Sequence, residues 1–264
     1  MTWKLKTEIT RYMSRAQHIR NICASDVASF SNSDIIVCDF QNGTLIKILA
    51  ERFSQSKVVA EQLSIKCLTN PSRVTVNKND EFIVLDNTAV NIFNRTSKCL
   101  PQFKLSGWQF IQPSCIAVDE NNLIAVGFGG LSEIAQHKPD GSLIRKLAAP
   151  GLGQYLTIHK QQLIYTNWHD DKLVSMDYNG GIVFSVYINQ SRLPRGLCCD
   201  KDGIIYVAVR NNESSSGEIQ HYSPDGEYIG CIIEDCGFLE GITLTPAGHL
   251  VVATDASVKI YYHE

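Results

Sequence analysis

Only 19% of the 264 residues carry charge, the net charge is −3, and no stretch gathers charge of one sign. Without a basic block, a polyanion binder with a cationic footprint over the whole surface is disfavoured. Long apolar runs are also missing. The longest, Leu250 to Ala253 and Ile204 to Val209, fall far short of the ~20 residues needed to cross a bilayer, so no membrane attachment is expected. The first residues, Met1 to Glu8, lack the apolar stretch of about 7–15 residues that marks a secretory signal, and the expected location is cytoplasmic.

Cysteine is not scarce, with nine residues. An odd count, no secretion signal, and positions inside apolar runs (Cys38, Cys115, Cys198, Cys231) read as small buried hydrophobes and not as a disulfide framework. No pair has the C-x-x-C spacing of a zinc site, and the adjacent Cys198 and Cys199 would point to opposite faces of a strand. Four N-x-S/T sequons, at Asn42, Asn94, Asn189 and Asn212, are read as chance.

What the chain does have is a repeat. The segment Pro71 to Asp86 is echoed by Pro113 to Gly127 and by Pro194 to Val209, with weaker copies at Ala24 to Asp39, Gly153 to Asn167 and Leu239 to Thr254. Marking each copy by the first residue of its second apolar run gives Ile35, Phe82, Leu123, Leu163, Ile205 and Leu250, at spacings of 47, 41, 40, 42 and 45. Six units of this length with β-type periodicity are too long for leucine-rich repeats.

Each unit reads as four strands. A short alternating run (Val74, Val76; Ile116, Val118; Leu156, Ile158) leads through an Asn, Asp or Gly turn into a near-continuous apolar run, as expected of a strand covered on both faces. A third strand follows a polar loop, and the hairpin signals Asp140-Gly141, Asn179-Gly180 and Asp225-Gly226 join it to a fourth. Six such units predict an all-β fold, a six-bladed β-propeller formed by residues 1–264 as one domain. The last unit stops at its third strand, Val258 to Tyr262, while Trp3 to Ile9 alternates like a surplus strand. Their pairing would close the ring and hide two edges. Residues 10–23 would cross into the first unit, with room for one helical turn.

The pattern Pro-x-Gly-Ile-x-Val-Asp-x-x-Gly-x-Ile-Tyr-Val-Ala-Asp, best matched by residues 194–209 and in part by 113–127 and 71–86, resembles that of NHL repeats. The chain is thus similar to the six-bladed NHL propeller at the C-terminal end of tripartite-motif proteins. Propellers of this kind bind RNA, bind proteins, or in the lactonase and lyase branches carry a metal and catalyse, so the fold alone does not choose among them.

Loops leading into the first strand and loops joining the second to the third share one rim. It carries Arg73, Arg195, Arg210 and Lys172 beside Phe40, Phe128, Tyr155, Trp168 and His169. Seven acids, Asp39, Asp86, Asp170, Asp171, Glu213, Glu240 and Asp255, outnumber these four bases. Counterion release rewards net positive contact, so single-stranded RNA ranks second to a protein or peptide partner. Trp168, in the loop Asn167-Trp-His-Asp-Asp171, is the most specific anchor, with packing back onto a neighbouring blade as the alternative. The loop Arg210 to Gly217 is either a binding finger or a tolerated insertion.

A lactonase- or lyase-like enzyme, which the resemblance associates with oxygen ligands around a central divalent ion, ranks third. Among the positions leading into the first strands only Asp26 and Glu240 are acidic, and Arg73 and Arg195 would face the same axis. Asp39, Asp86 and Asp255 read as turn formers. The histidines His159, His169 and His221 fall in different units with no nucleophile motif. The expectation is therefore a non-enzymatic, monomeric binding module without metal or cofactor. It would recognise a protein or peptide through Arg73, Phe128, Tyr155, Trp168, His169, Arg195 and Arg210, and the resemblance to NHL propellers implies a substrate adaptor in ubiquitin ligation or post-transcriptional regulation. No Cys/His cluster of RING or B-box spacing accompanies it, so the expectation is either an excised domain or a stand-alone homologue that needs a partner to recruit a ubiquitin-conjugating enzyme.

Overall fold

The computed structural model describes residues 2–53, 60–87, 89–105, 111–188, 192–211 and 216–264. They form six antiparallel blades in a ring, as the repeat predicts. Blade 1 is built on Ala24–Ser29, Ile35–Asp39, Thr44–Ile48 and Ala60–Gln62, and blade 2 on Pro71–Val76, Phe82–Asp86, Ala89–Phe93 and Phe103–Lys104. Blade 3 comprises Cys115–Val118, Ile124–Phe128, Glu133–His137 and Leu143–Ala148. Blade 4 comprises Leu156–His159, Gln162–Asn167, Lys172–Asp177 and Ile182–Tyr187. Blade 5 runs through Arg192–Cys199, Ile205–Asn211, Gly217–Tyr222 and Tyr228–Ile233. Blade 6 takes Leu239–Leu244, Leu250–Thr254 and Val258–His263 from the end of the chain and Trp3–Ile9 from its beginning.

The closing pair runs from Trp3 opposite His263 to Ile9 opposite Val258, with one irregularity between Leu5 and Thr7. Residues 10–23 depart from the expectation. In place of a helical turn they form a hairpin, Arg11–Met13 against Ile19–Asn21, which lies parallel to Ala60–Gln62 and widens blade 1 to six strands. The cause is local: Gln17 adopts a positive φ of 58° and donates its amide to Ser14, a reversal too tight for a helix. The only helical turns among the described residues are the short 3-10 segments Ala50–Arg52 and Gly129–Leu131, so no helix is long and apolar enough to cross a membrane.

The second strands explain why their sequences are almost wholly apolar. Ile35 and Val37 face the junction of blades 6 and 1, while Ile36 and Cys38 face the junction of blades 1 and 2. Successive side chains point to opposite faces, and a propeller buries both. Six buried clusters result, one at each junction. Each buried Val, Leu or Ile contributes roughly 1.5–3 kcal/mol. All nine cysteines are free thiols; Cys38, Cys115 and Cys198 are buried as expected, whereas Cys231 is exposed because it lies on an outermost strand.

Candidate functional site at the propeller axis

Four of the six innermost strands carry a register irregularity at the same place. In blade 1 it falls between Ala24 and Asp26, in blade 2 between Pro71 and Arg73, in blade 5 between Pro194 and Leu197, and in blade 6 between Leu239 and Ile242. A bulge leaves a residue unpaired and re-aims its side chain. The affected segments contain Ser25, Asp26, Ser72, Arg73, Arg195 and Glu240, so chain irregularity and charge coincide around the axis.

Glycine permits the crowding. A Cβ on Gly241 would collide with Asp26 Oδ1, and one on Gly196 would collide with the Glu240 carbonyl. Only glycine lets neighbouring inner strands approach this closely.

The charged side chains cross from blade to blade. Arg195 reaches both oxygens of Glu240, at 2.9 and 2.7 Å, and Arg210 bonds the same carboxylate while its Nε donates to the Leu239 carbonyl at 2.6 Å. Tyr155, from blade 4, donates its hydroxyl toward Glu240 Oε2 at 2.7 Å and lies 3.0 Å from the Ser25 carbonyl. Arg73 from blade 2 donates to both the carbonyl and side-chain oxygen of Gln154, at 3.0 and 3.3 Å, with its guanidinium 4.6 Å from the centre of the Tyr155 ring. Two arginines therefore share one carboxylate, that of Glu240, and Arg195 Nε remains buried with no hydrogen-bond partner among the described residues.

Asp26 stands apart from this pairing. Its carboxylate accepts amide hydrogens from Val27 at 3.0 Å and from Val74 of the next blade at 3.1 Å. Burial pushes its pKa up to about 6, against the opposing pull of Arg73 and the two amide bonds. It lines a cavity of about 100 Å³ together with Arg73, Gln154, Tyr155, Cys115 and Cys198. That volume suits a few water molecules. Burial also pushes the Cys115 thiol up to about 12 and Cys198 upward, leaving both as neutral apolar wall.

A divalent ion does not fit these groups. Both Glu240 oxygens are held by arginines, both Asp26 oxygens are held by amides, and no cluster of three His, Cys, Asp or Glu side chains among the described residues could surround a metal. Hard cations call for several converging oxygens. The orphaned buried atom, Arg195 Nε, is a donor and suits an anion.

Of the seven expected contact residues, the structure brings Arg73, Tyr155, Arg195 and Arg210 together at the axis, but as an internally bonded group. Trp168 and His169 stand apart on the blade 4 loop, their rings stacked at 4.0 Å with Trp168 41% exposed. Phe128 requires a correction. It is fully buried in the junction of blades 2 and 3, because the second strand is covered on both faces, so it cannot meet a partner. Tyr155 is likewise buried and offers no stacking platform. Asp39 holds its own turn, accepting from Asn42, whereas Asp86 departs from the expectation and accepts from Thr69 and Asn70 on the segment that enters its blade. Glu213 and residues 212–215 of the Arg210 loop lie outside the described residues. Sequence reasoning weighs Asp26 and Glu240 only as ligands of a central ion; their place at the start of the inner strands is visible in the repeat, but not the bulges beside them or their bonds across the ring.

No protein-family pattern and no curated protein sequence matches the chain. Solved structures do match. A gluconolactonase from Xanthomonas campestris is similar at 13% identity and a TM-score of 0.74, over 98% of this chain and 89% of that one. A streptogramin B lyase is similar at 11% identity and a TM-score of 0.65, over 99% and 98%. The WD40 propeller domain of Doa1 is similar at 10% identity and 0.67, over 99% and 97%. Likeness at this level shows the six-bladed propeller fold; kinship with NHL repeats or tripartite-motif proteins is not shown. The expectation of a non-enzymatic adaptor is corrected, because propellers that match this chain almost end to end bear the names of enzymes, a gluconolactonase and a lyase.

Proposed function

We propose that the chain is an enzyme that opens a small cyclic ester at the propeller axis by metal-independent general-base catalysis, with the attacking water held in the cavity of about 100 Å³ beside Asp26 and the ester at its mouth. The observation that carries this reading is Asp26: a buried carboxyl on a water-sized cavity, with its pKa brought up to about 6 beside the Arg73 guanidinium. A base is most effective when its pKa lies near the working pH, and buried groups shifted in this way mark candidate sites. The gluconolactonase neighbour supplies the substrate class, a lactone.

In the proposed step, ionised Asp26 takes a proton from a water in the cavity as the water oxygen bonds to the lactone carbonyl carbon. Negative charge developing on the carbonyl oxygen meets the guanidinium of Arg73, which lines the same cavity. The ring C–O bond then breaks, the leaving oxygen takes the proton back from Asp26, and a hydroxy acid is released. Glu240 is a positioning residue that fixes Arg195 and Arg210.

The test is proton release from a panel of five- and six-membered lactones, run in 18O-labelled water. Label in the product carboxylate supports hydrolysis, and an unsaturated product without label would replace it with elimination. Asp26→Asn should lose activity by about 100-fold or more. Turnover insensitive to Asp26→Asn, or none on any lactone, overturns the reading.

A further inference from the structure

A hollow far larger than the Asp26 cavity lies away from this site. It lies on the opposite face, where the turns between first and second strands of blades 1, 2, 5 and 6 surround a space of about 1250 Å³ that continues into the seam between blades 5 and 6. Ligand sites usually enclose about 300–1,000 Å³, so a small molecule fits with room to spare.

The seam has a wall of four rings in series. His263 and Trp3 lie 5.2 Å apart between centres, Trp3 and Tyr206 6.3 Å in an edge-on arrangement, and Tyr206 and His221 6.3 Å with planes only 19° apart. Ile232 and Leu244 continue the apolar lining. Such a wall takes a flat unsaturated ring by offset stacking or edge contact, worth about 0.5–1.5 kcal/mol per ring pair beyond burial.

The charge in the hollow leans positive, because its acids are engaged in internal bonds and, among the described residues, its lysines are not. Asp80 is taken up by Ser31, through both its amide and hydroxyl, and by Arg95. Asp200 caps its own turn through the amides of Asp202 and Ile204, and the Tyr206 hydroxyl lies 3.4 Å from its other oxygen. The exposed Lys78 and Lys201, by contrast, line the hollow with no carboxylate partner among the described residues. Uncommitted cations over an aromatic wall complement an anion carried on an aromatic body.

We infer that this hollow is a second binding site, for a small aromatic anion such as an aryl carboxylate or sulfonate. It is separate from the axis and independent of any activity there. Because Trp3 belongs to the strand that closes the ring, ligand bound here also bridges blades 5 and 6 across that closure.

The probe is 1-anilinonaphthalene-8-sulfonate, compared with neutral N-phenyl-1-naphthylamine, which lacks the sulfonate. The native chain should bind the sulfonate saturably with a micromolar Kd. The double variant Lys78→Glu and Lys201→Glu should weaken it about tenfold or more while leaving the neutral probe unchanged. Tyr206→Leu, which keeps apolar bulk and removes a ring, should weaken both probes with a thermal midpoint near that of the native chain. If Tyr206→Leu unfolds the chain, His221→Leu replaces it. Sulfonate affinity unchanged by the lysine pair, or no saturable binding at 100 μM, overturns the inference.

Discussion

Arg195 and Glu240 join the inner strands of blades 5 and 6 through contacts of 2.9 and 2.7 Å, both side chains only 18% exposed. Removing one partner of a part-buried pair leaves its charge uncompensated, which costs more than the pair itself contributes. Glu240→Gln, which also frees Arg210, is therefore expected to destabilise the fold by about 2–4 kcal/mol. Replacing both partners, Arg195→Met with Glu240→Leu, should recover the part of that loss due to Arg195, while Arg210 stays without its carboxylate. Urea denaturation of the two variants measures the difference, and a double variant less stable than Glu240→Gln would contradict the assignment.

Asp26 makes stability depend on pH in an unusual direction. Its folded pKa of about 6 lies above the ordinary 3.8, so the folded state holds the proton more tightly than the unfolded chain. The stabilisation from protonated Asp26 is present below the unfolded value and is lost as pH rises through 6. The gap corresponds to about 3 kcal/mol. Asp26→Asn, which cannot ionise, should therefore gain stability relative to the native chain by about that amount between pH 4 and pH 8. A pH-independent difference would mean that Asp26 is ionised normally.

Phe128 and Trp168 separate core from rim. Phe128→Ala empties a fully buried site and should cost about 3–5 kcal/mol. Trp168→Ala, on an exposed loop with its ring stacked on His169 and lying near Gly153, should cost under about 1 kcal/mol. Equal losses in thermal denaturation would mean that Trp168 packs as core.

The ring was legible because its physics is periodic. Second strands buried on both faces must be apolar throughout, and Ile35 to Cys38, Phe82 to Leu85 and Ile205 to Val209 say so in sequence. The surplus strand Trp3–Ile9 was legible from alternation alone. The hairpin at residues 11–21 was not, since three-residue strands carry no period. The axial site was legible only in part. Arg73, Tyr155 and Arg195 fall at repeat positions that must face the axis, but their partners depend on bulges and on contacts across the ring. Tyr155 bonds Glu240 and Ser25, 85 and 130 residues away, a pairing that no local pattern encodes.

Closure by the N-terminal strand predicts a steep cost at its inner end. Ile9 is buried among Val258, Ile260 and the blade 1 core. Ile9→Ala should cost about 2–4 kcal/mol, and Ile9→Asp should leave the Val258–His263 edge open and promote association. Equilibrium denaturation and light scattering read the two effects. A monodisperse, fully stable Ile9→Asp chain would show that the strand closes nothing.

The most direct measurement is the pH–rate profile of lactone opening by the native chain and by Asp26→Asn, in the presence of a chelator. The account predicts turnover that persists with chelator, rises with pH through about 6, and is lost in the variant whose fold is intact. Activity abolished by the chelator, flat between pH 5 and 8, or retained by Asp26→Asn would contradict it.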